Sequence, residues 1–428
     1  MRNRFAIYCM GCKVNISECA SLKAALIEEG FVYVDVNDNP DIIIVNTCAV
    51  THVADKKSRQ HIRSLMNKCP DATVCVMGCY SQRNHDFVFN ELHADIVVGC
   101  SDRKKIVEYL KSEAKGDFTE VDTSKFNFEE ISNSSDYDVV RAFLKIQDGC
   151  DNFCSYCIIP YVRGRCRSRN KDEIITEAKN LVAKGHKEII LTGIHVGAYG
   201  KDLKDTKFSD LVEEISNIEG LMRLTISSIE ASEIDDKLID LVASRDNIAK
   251  HLHIPLQSGC DKILKKMNRK YTVKEFVSKI KKIRDKNPDI FIGSDVIVGF
   301  PGETEADFFE THDLIKTIGF NRLHVFPFSP RKGTPAYDMR DQVNPILKQY
   351  RVERLIKLSN SLYDQFLLKN KGKELHALVE EYDEKTQLCK GHTENFIEVF
   401  FKGTKEDINT IVEIEYKMEA SPTIIEYF

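Results

Sequence analysis

Cys150-Asp151-Asn152-Phe153-Cys154-Ser155-Tyr156-Cys157 is the stretch on which the reading of this chain turns. It spaces its thiols as Cys-x3-Cys-x2-Cys directly after Arg141 to Ile146, a strand-like segment, so the cysteines sit on the loop leaving a strand. Three thiolates do not complete a tetrahedral zinc site, which normally takes four ligands. They suit three irons of a 4Fe-4S cluster and leave the fourth iron open. Half of a zinc or disulfide site, with Cys166 as the remaining ligand, is the competing reading, although the unequal spacing departs from the paired Cys-x2-Cys of zinc ribbons.

The rest of the chain sets the context for that loop. Its 428 residues exceed one ordinary core and predict two or three domains, and 42% hydrophobic with 30% charged residues is a globular balance. No apolar run approaches the roughly 18 residues a membrane helix needs. The N-terminus runs straight into strand-like Phe5 to Tyr8 without a signal-peptide apolar region, so the cytoplasm is the expected compartment. Fourteen cysteines then argue for reduced thiols and metal rather than disulfides. The formal charge of −5 is uneven: from Lys371 onward seven Lys face thirteen Asp and Glu, which leaves about +1 for residues 1 to 370.

Phe5 to Tyr8, Asp41 to Val45, Thr73 to Met77 and Asp95 to Val98 read as short buried strands, with helical stretches at Ser17 to Glu29 and Val53 to Asn67. This predicts a parallel α/β domain over residues 1–115 whose function lies on loops at the carboxyl ends of its strands. Cys12, Cys48 and Cys79 stand at three such ends. Adjacent parallel strands lie about 5 Å apart, so these loops converge and form a second candidate tripod for a 4Fe-4S cluster with an open iron. Cys9 and Cys75 fall within strand patterns, Cys19 within a helix pattern and Cys69 beside Pro70; with Cys100 they read as structural.

Residues 116–138, rich in Asp, Glu, Ser and Asn, read as a connecting segment. Strand–helix alternation resumes at Val139, with strands at Arg141 to Ile146, Glu188 to Leu191, Arg223 to Ser227, His251 to Ile254, Phe291 to Val298 and Arg322 to Phe326. Six such units over residues 139–371 predict a partial TIM-like barrel with chemistry at the strand carboxyl ends. Gly193, Glu230, Gln257, Gly299 and Gly302 occupy those ends, and the two last glycines read equally well as turn residues. Thr304 with Asp307 reads as a helix cap. After a long amphipathic helix at Ile346 to Lys369, residues 372–428 form a β-rich tail with strands at Leu375 to Val379, Phe396 to Phe401, Ile411 to Tyr416 and Thr423 to Tyr427, the size of a small barrel.

Arg163, Arg165, Arg167 and Arg169 alternate along the chain; if extended, they point to one face suited to phosphates. The basic run Lys262 to Lys286 reads as a solvated helix face. The acidic tail leaves the arginine ladder as the better candidate for a nucleic acid.

The cluster loop resembles that of the radical S-adenosylmethionine (SAM) enzymes. Gly11-Cys-Lys-Val-Asn15, Asn46-Thr-Cys-Ala-Val-Thr51, Ala54-Asp-Lys-Lys-Ser-Arg59, Gln147-Asp-Gly-Cys150, Ile158-Ile-Pro160, His253-Ile-Pro-Leu-Gln-Ser-Gly259, Lys266-Met-Asn-Arg269 and Phe328-Ser-Pro330 extend the resemblance to the methylthiotransferases across the chain. That resemblance implies an α/β protein: an N-terminal parallel α/β cluster domain, a partial TIM-like radical SAM barrel and a small TRAM-like C-terminal β-barrel. It implies two 4Fe-4S clusters, on Cys12, Cys48 and Cys79 and on Cys150, Cys154 and Cys157, together with SAM. Tyr156 (against the adenine), Gly193, Glu230 and Gln257 are its implied SAM or substrate contacts. The implied partners are tRNA, an electron donor and a sulfur source, with no membrane, and the chain is expected to be a monomer. The implied reaction adds a methylthio group to C2 of N6-threonylcarbamoyladenosine next to the anticodon. Sister branches act on isopentenyl-adenosine or on a ribosomal aspartate, and a non-catalytic iron-sulfur RNA-binding protein is the alternative of another class.

Overall fold

The computed structural model describes residues 3–131 and 140–417 and the backbone of Ile424–Ile425. Val139, residues 132–138 and most of the strand expected at Thr423 to Tyr427 lie outside the described residues. Six parallel strands build the first sheet: β1 (Arg4–Cys9), β2 (Val32–Tyr33), β3 (Ile42–Thr47), β4 (Thr73–Gly78), β5 (Ile96–Val97) and β6 (Gly116–Asp117), in the order β2-β1-β3-β4-β5-β6. The apolar run of β3 is buried on both faces. Ile42 and Ile44 meet Leu22 and Leu26 of helix Lys13–Glu28, while Ile43 and Val45 meet Ile62, Leu65 and Val88 of helices His52–Lys68 and Cys79–Asn90. The chain leaves β1 toward one edge and returns to β3 on the other side, so a topological switch point lies between these strands.

Seven strands follow: β7 (Arg141–Asp148), β8 (Arg167–Ser168), β9 (Glu188–Gly193), β10 (Arg223–Ile226), β11 (His251–His253), β12 (Phe291–Val298) and β13 (Arg322–Pro327). They form two arcs, β10-β9-β7-β8 and β11-β12-β13, in which only β8 runs antiparallel. Leu224 N donates to Asn247 O at 2.7 Å and Ile229 N to His253 O at 3.0 Å, which joins the arcs into a six-strand partial barrel. The helices expected between strands are present, and one of them, Val273–Lys286, carries most of the basic run. On that helix Lys281, Lys282 and Lys286 pair with Asp285, Asp236 and Asp240 at the surface. Thr304 and Asp307 form the expected reciprocal cap.

Helix Pro345–Asn370 packs along β13 and leads into the last sheet, β14 (Glu374–Asp383), β15 (Leu388–Thr393), β16 (Glu398–Lys402), β17 (Ile411–Glu415) and β18 (Ile424–Ile425). Its order, β17-β14-β15-β16-β18, is a curled open sheet, antiparallel except at β18, around Val379, Cys389, Val399, Phe401 and Ile414. The sheet caps the amino-terminal end of the barrel: Arg223 donates to His376 O and His392 O, and the His251 and Phe396 rings stack at 3.8 Å. No helix among the described residues is long and apolar enough to cross a membrane.

Candidate active site with two thiol triads

Cys150, Cys154 and Cys157 occupy the loop after β7, at the carboxyl end of the barrel. Gly149 has φ +71°, and a Cβ there would lie 1.8 Å from Arg165 O, so glycine is required for the loop to close on Gly164–Arg165. The loop is then tied down from outside: Ser155 N donates to Met267 O at 3.0 Å and Asn268 Nδ2 to Phe153 O at 2.8 Å. Burial pushes the Cys150 and Cys157 thiols up to about 12, and neighbouring thiols of the triad push both further in the same direction. Three sulfurs within electrostatic reach of one another and buried against ionisation are a poor arrangement for free thiolates and a good one for a polycation, which the 4Fe-4S core supplies to its ligands. The donor set fits the cluster.

Gly193 closes β9 against Gln147, whose Oε1 accepts from His195 N at 2.7 Å and whose Nε2 donates to Asp148 O and Gly149 O. Glu230 follows β10 and is ion-paired with Arg269, which also donates to Cys154 Sγ at 3.2 Å. Gln257, at φ +62°, bridges to β12 by accepting from Ile297 N and donating to Asp295 O. Gly193 and Glu230 thus stand beside the loop of the barrel triad, through Gln147 and Arg269, while Gln257 is held against β12. Tyr156 stands edge-on to Phe300 at 6.4 Å, in a small apolar cluster with Ile263, Met267 and Phe328, and only part of its surface is free to meet a ligand. Cys166 engages Gln147 Nε2 at 3.2 Å and Ala198 O at 3.8 Å.

The second triad lies on three neighbouring loops of the first sheet. Cys12 follows β1 and Cys48 follows β3, on either side of the switch point, and Cys79 follows β4. Polar residues of the motifs pin these loops together. Asn15 donates to Met10 O, Asn46 Oδ1 and Thr47 O; Thr47 Oγ1 donates to Met77 O; and Ser58 Oγ donates to Cys48 O at 3.1 Å. Gly78, at φ +103°, lets the β4 loop pass over Thr47, since a Cβ there would lie 2.6 Å from Thr47 O. Burial raises Cys48 to about 11, and the other two thiols of the triad act on it in the same sense. Cys79 goes the other way, to about 6: the Cys100 thiol 3.9 Å away is the main cause, and Arg163 reinforces it against burial. Three thiols of this kind at convergent strand ends also fit a cluster with an open iron.

The arginine ladder is overturned as a phosphate-binding face. Arg163 ends helix Ile159–Arg163 rather than lying in a strand, and it is fully buried. Its Nη1 donates to Glu18 Oε1 at 2.8 Å and to Asp148 Oδ1 at 3.1 Å, and its Nε donates to Cys79 Sγ at 3.1 Å. Arg167 is buried beside Asp148, and Arg169 is buried between Glu130 and Glu177. Buried guanidiniums persist only when paired, and Glu18, Glu130, Asp148 and Glu177 do the pairing here. Arg165 alone remains exposed, with Asp151 at 3.1 Å.

Four residues of the site escaped the sequence reading. Arg269 lies in Lys266-Met-Asn-Arg269, a motif that carried the resemblance but received no role. His195, two residues after Gly193, places Nδ1 3.6 Å from Cys150 Sγ and Nε2 2.9 Å from Glu233. Cys100, read as structural, stands against Cys79. Arg331, after β13, donates to Asp55 at 2.8 Å and to Ala49 O, locking the barrel to the Cys48 loop.

Residues 144–315 match the radical SAM superfamily, and residues 4–99 match the uncharacterized protein family UPF0004. The chain is 43% identical over 418 residues to the threonylcarbamoyladenosine tRNA methylthiotransferase MtaB of Bacillus subtilis (strain 168), covering 96% of this chain and 93% of that protein. It is 36% identical over 407 residues to the protein of the same name from Aquifex aeolicus (strain VF5), covering 94% and 98%. It is also 36% identical over 423 residues to a tRNA-2-methylthio-N(6)-dimethylallyladenosine synthase of Oceanobacillus iheyensis, covering 96% and 81%. Among solved structures, the radical SAM methyltransferase TsrM of Kitasatospora setae shares the fold, with a TM-score of 0.60 at 14% identity over 78% of this chain and 77% of that one. The superfamily match implies a 4Fe-4S cluster and SAM. A thiol triad at the mouth of a partial barrel, joined to identity that runs through almost the whole chain, places this protein in the radical SAM methylthiotransferase family.

Proposed function

We propose that this enzyme inserts a methylthio group at C2 of N6-threonylcarbamoyladenosine in tRNA, next to the anticodon. The observation that carries the reading is the presence of two separate thiol triads in one chain that is 43% identical, end to end, to a relative named for that activity. Cys150, Cys154 and Cys157 would hold the cluster that works with SAM, and Cys12, Cys48 and Cys79 a second cluster on which sulfur is presented. Held by Cys150, Cys154 and Cys157, a cluster would with SAM supply radical chemistry, which the reaction needs because an aromatic C2–H is too weakly acidic for a His or Glu base.

The protein's share is placement. Gln147 and Gly149 hold the loop of the first triad at the end of β7, and Arg269 holds Glu230 beside Cys154. Gly193, Glu230, Gln257 and the free edge of Tyr156 are the candidates to orient SAM. Arg163 and Arg331 fix the first sheet on the barrel so that the triads keep their separation. Arg165 is the member of the arginine ladder left to meet a tRNA phosphate; an electron donor and a sulfur source act from outside the chain.

Nucleoside mass spectrometry tests this reading after anaerobic incubation of the reconstituted enzyme with SAM, sulfide, a reductant and tRNA bearing threonylcarbamoyladenosine. A methylthio adduct of that nucleoside is the expected product. Turnover only on dimethylallyladenosine tRNA would move the enzyme to the branch of its Oceanobacillus relative.

A further inference from the structure

Inside the barrel, between the cluster loops and the C-terminal sheet, lies a cavity of about 490 Å³. That is within the usual size of a pocket for a small organic ligand. Lys13, the residue after Cys12, reaches it from the first sheet, and Arg322 reaches it from the start of β13. Neither has a carboxylate within ion-pair distance among the described residues: Glu188 acts on Lys13 only from farther off and faces Arg223 at 3.6 Å, and Arg322 lies over the Tyr363 ring at 5.2 Å. The acids nearby are already engaged: Asp295 has His253 Nε2 at 2.9 Å and His324 Nδ1 at 3.2 Å, and Glu398 pairs with Lys390 at 3.2 Å.

Two further polar atoms on the wall are unmet. Ser227 Oγ and His251 Nδ1 belong to side chains each only 9% exposed and have no hydrogen-bond partner among the described residues. Burial pushes the His251 imidazole well below its usual range, and His253, Lys13 and His324 push it the same way. Buried polar atoms without partners are costly unless a ligand completes them, and the two cations beside them are exposed to the cavity and free to meet one.

We propose that this cavity receives the N6 substituent of the substrate and that Lys13 and Arg322 select a substituent bearing a carboxylate. The assignment rests on the function proposed above, which it deepens. A threonylcarbamoyl group offers a carboxylate to the two cations, and a hydroxyl and a urea carbonyl to Ser227 and His251. A dimethylallyl group would leave all four unsatisfied. The placement follows from the base itself: C2 and N6 flank N1 on one edge of adenine, so a base that brings C2 to the triads carries its N6 substituent beside them, where the lumen is open to receive it.

Anticodon stem-loop RNAs that carry threonylcarbamoyladenosine as the free acid or as its carboxamide test the assignment. The amide keeps shape and hydroxyl and removes only the charge. Wild-type kcat/KM should be about 100-fold higher on the acid, the value of one to two charge-assisted hydrogen bonds. In Arg322→Met and Lys13→Met that ratio should fall below about 10, and Arg322→Lys should recover part of it. Iron content and SAM cleavage to 5′-deoxyadenosine are measured alongside, so that loss of a cluster is recognised. Equal wild-type turnover of acid and amide, or variants that keep the wild-type ratio, would overturn the assignment while the proposed function stands. No methylthio product on the acid RNA would overturn both.

Discussion

Arg163 donates from Nε to Cys79 Sγ at 3.1 Å and from Nη1 to Glu18 at 2.8 Å, while its third contact, Asp148, is the last residue of the strand leading to Cys150. One buried guanidinium therefore touches a thiol of the first-sheet triad, the helix that begins beside Cys12, and the base of the barrel triad's loop. The separation of the two thiol triads is fixed by side-chain chemistry rather than by a long linker. Fixed separation matters because well-oriented reacting groups gain rate without any new bond.

Arg163→Lys keeps the charge and loses the planar fork. Groups that orient metal ligands typically contribute about 10–100-fold to affinity or activity. We expect iron at the Cys12, Cys48 and Cys79 triad, and methylthiolation with it, to fall by about that factor, with a much smaller loss of SAM cleavage. Iron analysis and Mössbauer spectroscopy of the variant check this; an unaltered iron content would mean that Arg163 braces the fold and nothing more.

Glu18 sits 2.8 Å from Lys145 and Arg163 and also pairs with Arg103, all buried. Burial alone would raise its carboxyl, yet Arg103, Arg163 and Lys145 hold it well below the usual carboxylate range, and Asp148 is held down in the same way by Lys145 and Arg163. Glu18→Gln strands buried cations and should destabilise by about 3–5 kcal/mol in urea unfolding. Because the folded values lie below the unfolded ones, this stabilisation is complete near neutrality and is lost as pH falls below about 4. The wild type should therefore weaken more steeply than Glu18→Gln over that interval.

How far the sequence reaches is visible in these residues. Both thiol triads and all six barrel strands follow from local patterns: cysteines after apolar runs, and periods of two and 3.6. Strand Leu388–Thr393 was not anticipated, because Lys390, Gly391 and His392 dilute its apolar content and only pairing on both sides makes it a strand. The arginine ladder failed for a related reason. The partner of Arg163 at Glu18 is 145 residues away, and no local pattern reveals a counter-charge at that distance. Burial of a charge is a property of the assembled fold. An alternating run of arginines reads the same whether it faces phosphate or carboxylate.

The two triads should separate by mutation. Cys154→Ala removes a thiol of the barrel loop and should abolish SAM cleavage to 5′-deoxyadenosine. Cys48→Ala should retain that cleavage and stop methylthiolation. Chromatographic assay of 5′-deoxyadenosine beside nucleoside mass spectrometry reads both, and full methylthiolation by Cys48→Ala would refute a second cluster at Cys12, Cys48 and Cys79.

Arg269 makes the most local prediction. Its guanidinium pairs with Glu230, donates to Cys154 Sγ at 3.2 Å and lies over the Tyr271 ring at 5.0 Å, so one side chain couples a thiol of the barrel triad to a carboxylate beyond the end of β10. Burial alone would make a guanidinium here easier to deprotonate, but Glu230 outweighs it and holds the charge in place. Arg269→Gln keeps a donor while removing that charge, which leaves Glu230 unpaired and the Cys154 sulfur more electron-rich. A positive charge beside a ligating sulfur raises the reduction potential of a cluster, so its removal should shift the potential to a more negative value. We expect a negative shift by EPR-monitored titration together with about a 10–100-fold loss of SAM cleavage. A variant with unchanged potential and a raised KM for SAM alone would assign Arg269 to holding Glu230 rather than to the sulfur.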